Sequence, residues 1–174
     1  HISLSDIPET AYEPRLADDR VGHFTTMFQD YTDVRQDSPY IRYVNRWNLE
    51  KQNPQAKISE PKEPIVYWIE NTVPYDLRDA VREGILAWNE AFEAAGFKNA
   101  IVVKQMPDDA DWDPADVRYN TVRWMFQPGR GYAVGPSRAN PYTGELYDAD
   151  IRISADFVRS FYRTHTEFVS PIIG

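Results

Sequence analysis

From Ile65 onward the apolar positions fall into short blocks, and their spacing changes from block to block. "IVYWIEN" at 65–71 is a compact run of β-branched and aromatic residues and predicts a strand. In "VPYDLRDAVREGILAWNEAFEAAGF" the apolar residues Leu77, Val81, Ile85, Trp88, Phe92 and Ala95 recur every three or four positions, the stripe of one long helix. Pro74 stands where a first turn tolerates it, and Gly96 is placed to end the helix. "AIVVKQ", "NTVRWMFQ", "YAVGPSR" and "ELYDADIRIS" then predict four further strands, the last two joined by a turn rich in Asn, Pro and Gly. In the final strand Leu146, Asp148, Asp150 and Arg152 alternate with Tyr147, Ala149, Ile151 and Ile153, so its acids read as an exposed face. Ser154 is placed to cap a helix starting at Ala155, with Asp156 in the first turn, where an acid suits the dipole.

Upstream the pattern differs. Residues 1–19 are polar, carry Pro8 and Pro14, and read as irregular. "RVGHFTTMFQDY" and "YIRYVNRWNLEK" predict two strands around the turn "TDVRQDSP". In the second, Ile41, Tyr43 and Trp47 share one face, while Tyr40, Arg42, Val44 and Arg46 share the other. A two-stranded ribbon is marginal in water, so it must lie against something else. "KQNPQAKISEPKEP", with three prolines and mixed charge, reads as a linker. The chain therefore divides into an extended, β-ribbon segment over 1–60 and a second unit over 61–174. Strand, helix, strand implies a right-handed parallel crossover, and the last hairpin is antiparallel. The expected class is α+β: a twisted mixed sheet backed by one long helix, with an N-terminal β-ribbon extension.

Composition narrows the functions. A chain of 174 residues with 42% hydrophobic and 14% aromatic content is globular. A net charge of −8, with scattered arginines, argues against nucleic acid, whose phosphates demand a basic stripe. No apolar run reaches the ~18 residues of a membrane span. The start, "HISLSDIPET", lacks the features of a signal peptide and reads as the interior of a longer chain. With no cysteine, disulfides, thiolate nucleophiles and Cys-based zinc sites are excluded.

Few residues invite chemistry. His1, His23 and His165 are far apart, and no His-x-x-x-His pair offers two imidazoles to one metal. No serine sits in a Gly-x-Ser-x-Gly elbow. In the acidic loop 108–116, Asp109, Asp111 and Asp113 alternate like the first ligands of a calcium loop. Pro114 replaces the tight-turn glycine and Asn120 the bidentate glutamate, so a solvated loop is the better reading. Glu145, Asp148 and Asp150 could be imagined as a glycosidase pair, but acids on an exposed face are commonplace. "GYAVG" lacks the Lys-Ser/Thr of a phosphate loop. It reads either as an edge strand whose small residues admit another backbone, or as an ordinary internal strand.

The runs "PIVYWIENTVPYDLRDAVREGILAWNEAFEAAGFKNAIVVK", "ADWDPADVRYNTVRWMF" and "GYAVGPSRANPYTGELYDADIRIS" together resemble bacterial zinc-dependent metallopeptidase-like proteins with a metzincin-like catalytic domain. In these the catalytic domain follows a β-rich domain of unknown function, and "YEPRLADDRVGHFTTMFQDY" with "YVNRWNLEK" looks like the junction. The resemblance implies an edge strand that pairs antiparallel with a bound peptide, falling here on Tyr132, Ala133, Val134 and Gly135, with 146–153 leading towards the active-site helix. It also implies zinc in the full-length protein, a peptide or protein substrate, and export from a bacterial cell. The motif His-Glu-x-x-His-x-x-Gly-x-x-His is absent from the chain. The expectation is thus a fragment, inactive by itself, that supplies the substrate-binding strand without the zinc site; the alternative is a non-catalytic peptide- or protein-binding module using the same edge. Uncovered apolar surface and strand edges would favour self-association.

Overall fold

The computed structural model describes residues 6–7 and 9–169. Five strands form the main sheet: β3 (Ile65–Ile69), β4 (Ile101–Gln105), β5 (Asn120–Met125), β6 (Ala133–Val134) and β9 (Ile151–Ser154), in the order β4-β3-β5-β9-β6. Neighbours from β4 through β9 are parallel, and β6 runs antiparallel to β9. The fold is mixed α/β, with a mixed sheet and a few helices.

The β3–helix–β4 crossover is parallel, as the pattern implies. The helix is not one piece. A 3₁₀ turn (Tyr75–Leu77) leads into α1 (Arg78–Leu86), and α2 (Trp88–Ala94) follows a break at Ala87. Ala87 keeps right-handed backbone angles, and the Glu90 N–H turns back to the Ala87 carbonyl at 3.2 Å, a tightened i→i−3 contact. The end of α2 is set by Gly96 at φ 95°, where the Gly96 N–H donates to Glu93 and the Phe97 N–H to Phe92. That pair of bonds satisfies carbonyls the helix would leave bare.

The register places Ile65, Tyr67, Ile69, Ile101, Val103, Val122 and Trp124 on one sheet face, where they form the buried core. Leu77, Val81 and Phe92 pack on it from the first helices, and Ala155 and Val158 from α3 (Ala155–Thr164). Helices therefore cover this face. On the opposite face Trp68 meets Trp112 and Tyr119 edge-on, so the acidic loop folds back over the sheet on its aromatics.

Two expected strands are each divided. The run 132–138 splits into β6 and β7 (Ser137–Ala139), and 145–154 splits into β8 (Leu146–Ala149) and β9. Antiparallel pairing continues in one register through both halves, and a bulge follows Arg138. It is one ribbon bent at Gly135 and Pro136, whose upper half leaves the main sheet. Ser154 occupies the N-cap position of α3, but its hydroxyl donates to the Arg130 carbonyl at 2.8 Å instead of capping. A π turn (His165–Val169) extends α3.

The N-terminal ribbon pairs β1 (Thr25–Gln29) antiparallel with β2 (Tyr40–Val44). Both strands are shorter than the sequence pattern implied. Residues 15–17, expected to be irregular, run beside β2 through bonds from Ala17 to Arg42 and from Val44 to Arg15. The expectations for His1 and Pro8 fall outside the described residues.

Candidate functional site

The main sheet has two edges, and they differ. At β4 the outward groups are taken by helix side chains: the Asn89 amide donates to the Ile101 carbonyl at 2.9 Å and accepts its N–H at 2.8 Å. Arg82 donates to the Val103 carbonyl at 3.0 Å. Three outward groups of that edge are thereby occupied. At β6 the Ser154 N–H donates to Tyr132 at 3.0 Å and the Asp150 N–H to Pro136 at 2.9 Å. Antiparallel alternation then turns the N–H and C=O of Ala133 and Gly135 away from β9, to the outside. Tyr132 and Val134 are 36% and 45% exposed, which leaves the strand reachable.

Ala133 pairs with Ile153 and so faces the helix side of the sheet, where Gly135 lines an apolar cavity of about 950 Å³. Tyr67, Trp124 and Ile151 floor it, Trp88 and Phe161 stand at its helical walls, and Phe24 and Trp47 reach it from the N-terminal ribbon. Because the edge strand carries only small residues on that side, nothing of its own blocks the way from the open edge to the cavity. Trp88, expected within the buried stripe, is 65% exposed at this opening.

Behind the edge lies a network that corrects the reading of Asp148 and Asp150 as exposed acids. They are 1% and 3% exposed. Asp148 pairs with Arg138 across the ribbon, and Asp150 Oδ1 accepts the Thr121 N–H at 3.1 Å with the Thr121 hydroxyl at 2.9 Å. Arg152 approaches Asp150 at 3.8 Å. Burial, reinforced by the Asp150 charge and opposed by Arg138, pushes the Asp148 carboxyl up to about 6. Burial next to both acids raises the Tyr67 phenol to about 12.

A raised carboxyl means the fold holds a proton that the unfolded chain releases. Stability therefore falls as pH rises from about 3.8 to about 6, and the slope vanishes above that window. Asp18 and Asp116, held low by their arginine partners Arg20 and Arg118, act in the opposite sense at lower pH. Denaturant titrations of the protein and of Asp148→Asn isolate the effect: the variant gains relative to the parent as pH rises through the window. Parallel curves would refute the assignment.

The remaining candidates are not brought together. His23 and His165 are exposed and lie on separate elements, before β1 and after α3. Among the described residues no group of three or more His, Cys, Asp or Glu side chains is arranged to hold a metal ion. In the acidic loop the Asp113 carboxylate accepts the Ala115 N–H at 2.7 Å and Asp116 pairs with Arg118 at 2.5 Å, ordinary turn chemistry. No described helix is long and apolar enough to cross a membrane.

Periodicity did not single out Asn89 and Arg82, which look like solvated helix positions, nor Glu145, which is 5% exposed. Glu145 accepts from Thr10 at 2.7 Å and from Asn48 at 2.9 Å. An Asn on the flank of the apolar stripe is the one local signal, and it becomes readable only once β4 is known to be an edge. In comparison with known proteins, residues 1–52 match a family model described as a domain of unknown function (DUF5117). No curated protein and no solved structure matches the chain.

Proposed function

We propose that this chain is the substrate-positioning part of a zinc metallopeptidase-like protein, and that it holds an extended peptide by adding it as a strand to β6. The observation that carries this reading is the contrast between the edges: β4 has Asn89 and Arg82 on its outward groups, whereas among the described residues none takes the outward main-chain groups of Ala133 and Gly135, which lie beside an apolar cavity. Main-chain pairing supplies affinity and the cavity selects a side chain. Peptide-bond hydrolysis belongs to the full-length protein in this reading, as do zinc and export. The resemblance of runs within 61–174 to metzincin-like domains supports it. A non-catalytic binding module would use the same edge.

Ala133→Pro tests strand addition directly. It removes an outward N–H without touching the β6–β9 ladder, and an edge strand tolerates proline there. Short peptides selected from a random display library against the parent should bind the variant roughly tenfold more weakly or worse, with an unchanged melting temperature. Equal binding would remove β6 from the site.

A further inference from the structure

We propose that residues 10–48 form a strap across the mouth of the apolar cavity, latched through Glu145, and that the latch sets how far the β6–β9 ladder opens. Phe24 and Trp47 of this segment line the cavity together with Gly135 and Ser137 of the ribbon. Trp47 also packs against the core, and the Phe24 carbonyl is fixed by the Asn45 N–H at 2.8 Å. The segment is thus a wall of the cleft.

Its attachment lies elsewhere, at the ribbon's tip. Glu145 Oε2 accepts from the Thr10 hydroxyl at 2.7 Å, and Oε1 accepts from the Asn48 amide at 2.9 Å. The Arg46 N–H donates to Gly144 at 3.1 Å and the Leu146 N–H to Arg46 at 2.9 Å, a short parallel bridge beside the carboxylate. Gly144 makes the approach possible: at φ 80°, a Cβ there would come within 2.7 Å of the Val44 carbonyl oxygen. Arg46 lies 4.3 Å over the Tyr12 ring and donates to the Glu13 carbonyl at 2.7 Å, so the leading residues are held as well. Below the shift between Arg138 and Ala139 pairing keeps a single register down to β6, and it is through this paired ribbon that a displacement of the tip would reach the edge.

The inference stands apart from peptide binding, since its readouts need no ligand. In the whole chain, the double variant Thr10→Ala/Asn48→Ala removes both donors and leaves the ribbon intact. The Arg46 and Leu146 amides should exchange roughly tenfold faster with solvent deuterium. The Asp150 and Ser154 amides, which donate to Pro136 and Tyr132 in the edge ladder, should follow. Binding of an apolar dye should rise, while the Ile65 and Met106 amides around β3 stay at parental rates. Glu145→Gln keeps an acceptor for Asn48 and can donate to the Thr10 hydroxyl, so it should remain near the parent. Faster exchange confined to Arg46 and Leu146 overturns the proposal, as does an equal rise around β3. A Glu145→Gln chain that loosens as far as the double variant overturns it too.

Discussion

Asp150→Ala should lower the unfolding free energy by about 3–5 kcal/mol, the cost of breaking a buried pair by deleting one partner. The carboxylate is 3% exposed and lies among groups with no substitute for it. Its loss leaves the N–H of Thr121, itself fully buried, without the acceptor it now has at 3.1 Å. Arg152 loses its ion pair as well, but its side chain is 35% exposed and recovers part of that from water, which places the effect towards the lower end. Asp150→Asn separates the two contributions. It retains an acceptor for Thr121 and gives up only the charge, so urea denaturation should find it well above the alanine variant. Equal losses would mean that the charge, and not the hydrogen bond to β5, dominates.

Ile69→Ala should cost about 2–5 kcal/mol, the range for truncating a buried branched aliphatic side chain. Ile69 has no exposure and lies at the end of β3, which is hydrogen-bonded to β4 on one side and β5 on the other. A strand held on both sides cannot slide into the void, so the site relaxes poorly. Ile69→Val, which removes one methylene, should cost about 0.5–1.5 kcal/mol. Trp88→Ala offers the contrast: a larger residue is truncated, yet its 65% exposure leaves little burial to lose. A Trp88→Ala loss as large as that of Ile69→Ala would place the core elsewhere.

Much of the sheet was legible because its strands are short apolar blocks and the intervening helix has a regular stripe. Ile85 and Phe92 fulfil that stripe, while Trp88 departs from it because the third dimension leaves a cavity where the pattern implies contact. The acids of the last strand misled for a different reason. Alternating Asp148 and Asp150 look the same whether they face water or arginine, and the groups that hold them lie 10 residues away at Arg138 and 29 away at Thr121. The division of the two strands, at Gly135 and Pro136 in one and at Asp150 in the other, escaped because proline in an edge strand interrupts a sheet without interrupting pairing. That "GYAVG" lies on an edge was one of two open alternatives. Strand order decides it, and strand order is not a property of any single segment.

The Thr10 to Glu145 bond joins residues 135 positions apart. During synthesis at about 5–20 residues per second, roughly 7–27 s pass between the appearance of one partner and the other. Throughout that interval the β1–β2 hairpin, too small to be stable alone, must wait without its tie to Glu145, while Phe24, Met27 and Phe28 stay exposed even in the finished fold. Residues 10–48 are therefore made well before the acceptor that secures them, and a pause in synthesis between 48 and 145 would prolong the time this hairpin spends unlatched.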